Sequence, residues 1–197
     1  MFYRPSDGHG LPHNPFKALV SPRPIGWIST RASRGDNLAP YSFFNAIADD
    51  PPQVMFAGGM KDSITNARDS GVFAVNLVEE AMLGAMNDTS AAYAHGISEF
   101  ERAGVTRAEC TLIDCPRVAN APATLECRTR QIITLQGADN FMVIGEVTGI
   151  HIRKDCLIDG HFDVTHFGIA ARLGYHDYAV IRDVQSMKRP NPVPSKS

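Results

Sequence analysis

Eight of the thirteen prolines fall in residues 1–52, three in the last eight residues, and none between Pro52 and Pro116 or between Pro122 and Pro190. Proline fixes φ and lacks a backbone donor, so helix interiors and central strands exclude it. The chain is therefore expected to have an irregular N-terminal quarter, a body of regular structure, and a tail. At ~150 residues per domain, 197 residues give one domain with an extension. The expected boundaries are residues 1–182 for the domain and 183–197 for the Pro-rich tail. With Pro190, Pro192 and Pro194 at alternate positions, that tail reads as an extended arm that wraps a partner subunit or moves freely.

The body is rich in strand signals. Pro24 to Thr30, Gln53 to Ala57 and Val72 to Val78 are β-type runs bounded by Gly, Pro or Asp. Thr124 to Gln131 alternates, with Leu125, Cys127 and Thr129 on one face and Glu126, Arg128 and Arg130 on a face expected to be wet. Phe141 to Arg153 switches its apolar parity partway, which calls for a β-bulge at Gly145 or Gly149. Gln136 to Asn140 supplies the turn between these two strands. Three short helices are expected: Asp62 to Ser70 closing on Gly71, Glu79 to Met86, and Ser98 to Ala103. Alternating strands with short helices point to a mainly β barrel with helical insertions, not a doubly wound sheet.

Charge and motifs exclude several function classes. Nineteen basic against twenty-one acidic residues give a net charge of -2, far from the basic balance of nucleic-acid binding. No apolar run approaches ~20 residues, and Pro5, Pro12 and Pro15 interrupt the first twenty, so neither membrane association nor a secretory segment is expected and the compartment reads as cytoplasmic. The four cysteines form no Cys-x-x-Cys and are expected to stay reduced. No metal site is expected: His161 and His166, near Asp155 and Asp159, have no settled ligand spacing and read as solvent-facing or interfacial. Rossmann, P-loop, Gly-x-Ser-x-Gly and His-Glu-x-x-His signatures are all absent.

Three segments carry possible chemistry, each beside a plain structural reading. Lys61-Asp62-Ser63 heads a helix, where first-turn N–H groups lack partners, and suits an anion or serves as an ordinary cap. Thr30 to Asn37, with Arg31 and Arg34, is a hairpin loop or a phosphate or sugar contact. Asn37 to Asn45 joins Ala39-Pro40, Tyr41-Ser42 and Phe43-Phe44 into an extended run that addresses a flat heterocycle or packs as core.

Taken together and in order, these motifs resemble one family. Ser21-Pro22-Arg23-Pro24-Ile25-Gly26-Trp27-Ile28-Ser29-Thr30, Asn37-x-Ala39-Pro40-Tyr41-Ser42-Phe43-Phe44-Asn45, Asp50-Pro51-Pro52, Lys61-Asp62-Ser63 and Phe73-Ala74-Val75-Asn76 resemble the flavin reductase-like family of FMN-binding split barrels. The likeness continues through Asn140 to Val147 and Arg172-Leu173-Gly174-x-x-x-Tyr178. It implies a split β-barrel homodimer that binds FMN, accepts hydride from NADH or NADPH, and passes electrons to a second flavin, a protein or oxygen. It also implies that the stretch Asn37, Ala39, Pro40, Tyr41, Ser42 and Asn45 lines the flavin. Lys61, Asp62 and Ser63 would then receive the phosphate, with Ser29 or Thr30 at the ribityl end. Asn140 and Tyr175 depart from the usual pattern: Asn140 resembles the flavoredoxin-like branch, and Tyr175 would stack on a ligand or narrow the nicotinamide pocket, so the two together leave an FMN-binding electron carrier with little nicotinamide activity as the alternative.

Overall fold

The computed structural model describes residues 1–33, 35–91 and 98–190. Seven antiparallel strands make its main sheet: β1 (Gly26–Ala32), β2 (Gly35–Tyr41), β3 (Phe44–Asp49), β4 (Pro52–Gly58), β5 (Val72–Asn76), β6 (Ala123–Thr134) and β7 (Phe141–Ile152). Their spatial order is β2-β1-β5-β6-β7-β4-β3. The outermost strands, β2 and β3, are consecutive in the chain and joined only by Ser42 and Phe43. Such a link spans at most ~11 Å, so the sheet must curl until its two edges meet. At that meeting a side chain on Gly26 would lie 2.8 Å from the Phe44 ring, which leaves room there only for glycine.

The curled sheet is a split barrel. Its interior is filled from alternate residues of facing strands, among them Ile28, Phe56, Phe73, Val75, Cys127 and Val143. Phe73 meets Phe56 edge-on at 5.1 Å, a preferred geometry for aromatic quadrupoles. The opposite face of β1 and β2 is buried too. Trp27 and Leu38 pack there with Val78, Met86 and Phe100, and the Trp27 indole N–H donates to Thr89 Oγ1 at 2.9 Å. The strand β7 bulges against β6 at two places, Ile144/Gly145 and Val147/Gly149, so both glycines host the change of parity read in the sequence.

Helices cap the barrel and cover its outer core. α1 (Asp62–Ser70) buries Ile64 and Ala67 and stops at Gly71, whose φ of 73° places it in the left-handed region. α2 (Leu83–Asp88) follows a 3-10 turn, and α3 (Glu99–Arg102) is one turn long. All four cysteines are free thiols, and burial pushes the Cys127 thiol up. Residues 183–190 are exposed without regular structure, whereas Pro192 and Pro194 of the tail lie outside the described residues.

One expectation is corrected on β6. Arg128 is exposed, but Glu126 on the same face is 1% exposed. The loop after Glu109 folds over it, and its carboxylate accepts from Thr111 N–H at 2.6 Å and Leu112 N–H at 2.7 Å. His151 Nε2, on the neighbouring strand, lies 2.5 Å away. Burial opposes the charge on Glu126, yet these hydrogen bonds outweigh it and hold the carboxyl below its ordinary range.

Because the folded value is depressed, this group contributes stability above the unfolded carboxyl range of roughly 4.3, and loses it as pH falls through the folded value. Glu126→Gln is expected to cost about 1.5–3 kcal/mol near neutrality, since it removes a charged acceptor from two buried N–H groups. Urea unfolding of both proteins across pH should show the gap closing in acid. An equal gap at pH 3 and pH 7 would contradict the assignment.

Candidate functional site

The edge that closes the barrel is also where the chain leaves space. A cleft of about 710 Å³ runs along β2 and the Ser42–Phe43 link, bounded by the end of β4 and the start of α1. Because β2 pairs with β1 on one side only, its other backbone edge is open. Leu38 N–H points to that open side and donates to Glu99 Oε2 at 3.2 Å. In an antiparallel strand the N–H and C=O directions alternate by residue, so the Pro40 carbonyl points the same way. Pro40 itself is tolerated because an edge residue forfeits no ladder bond.

One end of the cleft is a helix start. Lys61 is the N-cap of α1 and no side chain caps the first turn. First-turn N–H groups of a helix have no intrahelical acceptors, and at this start the lysine stands beside them. Ser63 Oγ instead accepts from Asn37 Nδ2 at 2.8 Å, tying the helix to β2. Asp139 accepts from Met60 N–H at 2.8 Å and fixes the approach to the helix.

The other walls are flat or apolar. Tyr41 packs edge-on to Phe56 at 4.9 Å, and burial, opposed by its hydrogen bond with Ser63, pushes the phenol up so that it stays protonated. A Cβ on Gly58 would meet the Tyr41 ring at 2.9 Å, so glycine keeps that floor smooth. Lys17 reaches over the Phe43 ring at 5.9 Å. Burial, opposed by N–H bonds from its own helix turn and Leu38, raises the Glu99 carboxyl, with Asp62 adding repulsion.

Eight residues singled out in the sequence meet in this cleft: Asn37, Ala39, Pro40, Tyr41, Ser42, Lys61, Asp62 and Ser63. Three others do not. Ser29 is fully buried, with its hydroxyl donating to Pro116 O at 2.7 Å and accepting from Asn76 at 3.0 Å. Thr30 is fully buried as well and accepts from Asn66 at 3.2 Å. Asn45 lies on the exposed edge strand β3, where its side chain accepts from Ala46 N–H at 3.0 Å.

The remaining candidates also find other partners. Arg31 is held by Asp36, Glu109 and Asp114 at 2.6–2.8 Å, away from the cleft, and Arg34 lies outside the described residues. Asn140 spends its amide on Gln136 O at 2.9 Å in the β6–β7 turn. Tyr175, at φ 56°, meets His13 edge-on at 5.8 Å and lines neither the cleft nor its neighbouring recess. His161 and His166 are exposed, and among the described residues no three His, Cys, Asp or Glu side chains gather as a metal site. The sequence reading missed Lys17, Gly58, Gly59, Ser90 and Glu99 as lining residues. The Gly58-Gly59 pair just before Lys61 was a signal for a close approach; the others are assembled only by tertiary packing.

The curled seven-stranded sheet with its edge cleft defines the class, a split barrel of the flavin reductase type. Residues 19–168 match the flavin reductase like domain, and the chain belongs to that family. It is 32% identical to the 2-nitrobenzoate 2-nitroreductase of Pseudomonas fluorescens, whose structure superposes with a TM-score of 0.82 over 91% of each chain. Nitrilotriacetate monooxygenase component B of Bacillus cereus is 27% identical with a TM-score of 0.87, covering 95% of this chain and 98% of that one. An uncharacterized protein of Deinococcus radiodurans is 37% identical over 171 residues, 80% of this chain and 74% of its own.

Proposed function

We propose that this chain is an FMN-dependent oxidoreductase that draws reducing equivalents from NADH or NADPH and passes them to a second flavin, a protein, oxygen or a small organic acceptor. The observation that carries the reading is the pairing of an uncapped helix start, with Lys61 beside it, and an extended wall from Ala39 to Phe43 in one cleft. The residues fit FMN in kind. A phosphate suits the N–H groups of a helix start, the Lys61 ammonium and the Ser63 hydroxyl, and a flat ring suits the Pro40–Phe43 wall. When bound, FMN would supply the redox chemistry, accepting two electrons and returning them.

The chain's own task is then to hold and orient. Asn37 fixes Ser63, Tyr41 closes the floor, and the Pro40 carbonyl offers an acceptor to a ring N–H. No side chain is required to shuttle protons for the first half-reaction. The nitroreductase and monooxygenase-component relatives support a reductase over a pure electron carrier. Asn140 and Tyr175, which favoured the carrier, stand outside the cleft.

We also propose a homodimer. Strand β3 leaves Asn45 to Asp49 exposed, with Ile47 at 48%, and a second copy would cover this edge; Phe16, Leu19 and Val20 are further exposed apolar side chains. Light scattering at micromolar concentration should give twice the 21.5 kDa chain mass; a monomer would refute it.

Lys61→Ala is expected to weaken FMN binding by about 1.5–3 kcal/mol, roughly tenfold to a hundredfold, as a charge-assisted phosphate contact is lost. Flavin fluorescence quenching measures it, and an unchanged affinity would remove the phosphate assignment. Anaerobic mixing of the FMN-loaded protein with NADH or NADPH should bleach the visible flavin band within seconds with at least one nucleotide. Absence of bleaching with both would leave the electron-carrier reading in its place.

A further inference from the structure

We infer that a small recess beside the cleft is a subsite for the carboxylate of the compound the flavin reduces, with Arg172 as its anchor. The inference rests on the flavin-reductase reading above and adds to it a substrate class, small planar organic acids. The recess has a volume of about 110 Å³ and shares Pro40, Ser42 and Ser90 with the main cleft. It therefore opens at the Pro40–Ser42 end, along the chain from the Lys61–Ser63 helix start that suits phosphate. Its size is far below the roughly 300 Å³ minimum of a drug-sized site, so it admits a carboxyl group and part of a ring but not a dinucleotide.

Its chemistry is mixed in the manner such a fragment needs. Ile25, Pro40 and Met86 give apolar walls, and Arg172 stands opposite with Tyr178. The Arg172 guanidinium lies 4.4 Å above the Tyr178 ring, which holds its plane. It donates to Tyr178 Oη and, at 2.7 Å, to Tyr175 O. Those two bonds leave about three of its five N–H groups for a ligand, in a fork that matches a carboxylate.

The charge balance points the same way. Arg172 is in register with Arg23 across two short antiparallel strands, Arg23–Pro24 and Ala170–Arg172. Arg23 is 6% exposed and rests only on carbonyls, those of Lys17, Val20 and Leu173, while its Nε has no partner. Burial first, and the Arg172 charge second, lower its proton affinity. Among the described residues no carboxylate forms an ion pair with either guanidinium. Arg172 thus faces a recess lined by no acidic side chain, with the buried Arg23 in register beside it, and an unpaired buried charge is costly. A carboxylate between the remaining N–H groups of Arg172 and the Ser42 hydroxyl would offset this positive charge.

The test is calorimetric titration of the FMN-loaded protein with benzoate, benzamide and inorganic phosphate, with the flavin spectrum followed in parallel. Benzoate is expected to bind and shift the flavin band, and benzamide and phosphate to bind at least tenfold more weakly. Arg172→Gln should lower benzoate affinity at least tenfold, Arg172→Lys should restore part of it, and both should keep the wild-type FMN affinity and melting temperature. Equal binding of benzoate and benzamide by the wild-type protein, or none, overturns the inference without any variant. Tighter binding of phosphate assigns the recess to a phosphate and overturns it too, as does an Arg172→Gln variant that loses FMN instead of benzoate. If the wild-type protein fails to bind FMN, the flavin reading falls; benzoate titrated into the flavin-free protein then decides the subsite separately, by its dependence on Arg172.

Discussion

The short link between the two edge strands governs the molecule. Because Ser42 and Phe43 alone connect β2 to β3, the sheet has no choice but to curl, and Gly26 under Phe44 leaves no room for a side chain where the edges meet. Closure by so short a link is incomplete. β2 pairs with β1 but not with β3, so a strip of β2 backbone remains unpaired. An unpaired strand edge is usually a hazard that must be covered. Here it is lined by a cleft, and every second residue along it, Leu38 and Pro40 among them, turns its backbone groups to the side that has no ladder to join. The site is a by-product of the way the barrel shuts.

The same constraint explains what the sequence could and could not reveal. Strands β1, β4, β5, β6 and β7, both bulge glycines, the Gly71 stop and the β6–β7 turn follow from local rules and lie where periodicity or glycine chemistry placed them, whereas β3 carries no such signal. The motif residues of β2 and the α1 start were legible because they sit in two continuous stretches that the barrel brings together. Ser29 and Thr30 misled because β1 looks one-sided in sequence but is buried on both faces, so their hydroxyls are consumed by Pro116 and Asn66. Glu126 misled for a related reason: strand alternation predicts a wet face, and only a distant loop, Thr111–Leu112, covers it. Lys17, Ser90 and Glu99 come from separate elements, and no spacing rule joins them.

Two kinds of polar residue are buried in this chain, and they do different work. Asn76 sits fully buried on β5, donates to Trp27 O and Ser29 Oγ, and accepts from Val118 N–H and Thr124 Oγ1, a closed network in which the amide is fully used. Glu126 is likewise satisfied, by two backbone donors and His151. Such groups fix how strands and loops meet and leave nothing over for a ligand.

Arg23 and Arg172 lack that closure. A buried guanidinium surrounded by carbonyls gains hydrogen bonds but no opposite charge, and a second guanidinium in register makes its surroundings less favourable still. Networks that are complete need no ligand, whereas a surplus of one sign persists in a fold only where something offsets it or where function requires it. Arg172 of this pair lines the recess that adjoins the cleft at Pro40 and Ser42, opposite in chemistry to the neutral Asn76 core and distinct from the helix start that suits phosphate. Two positive sites serving one cleft can be occupied at once only by two groups, one at each end, so the arrangement favours a bound cofactor and a separate anionic partner over a single ligand stretched between them.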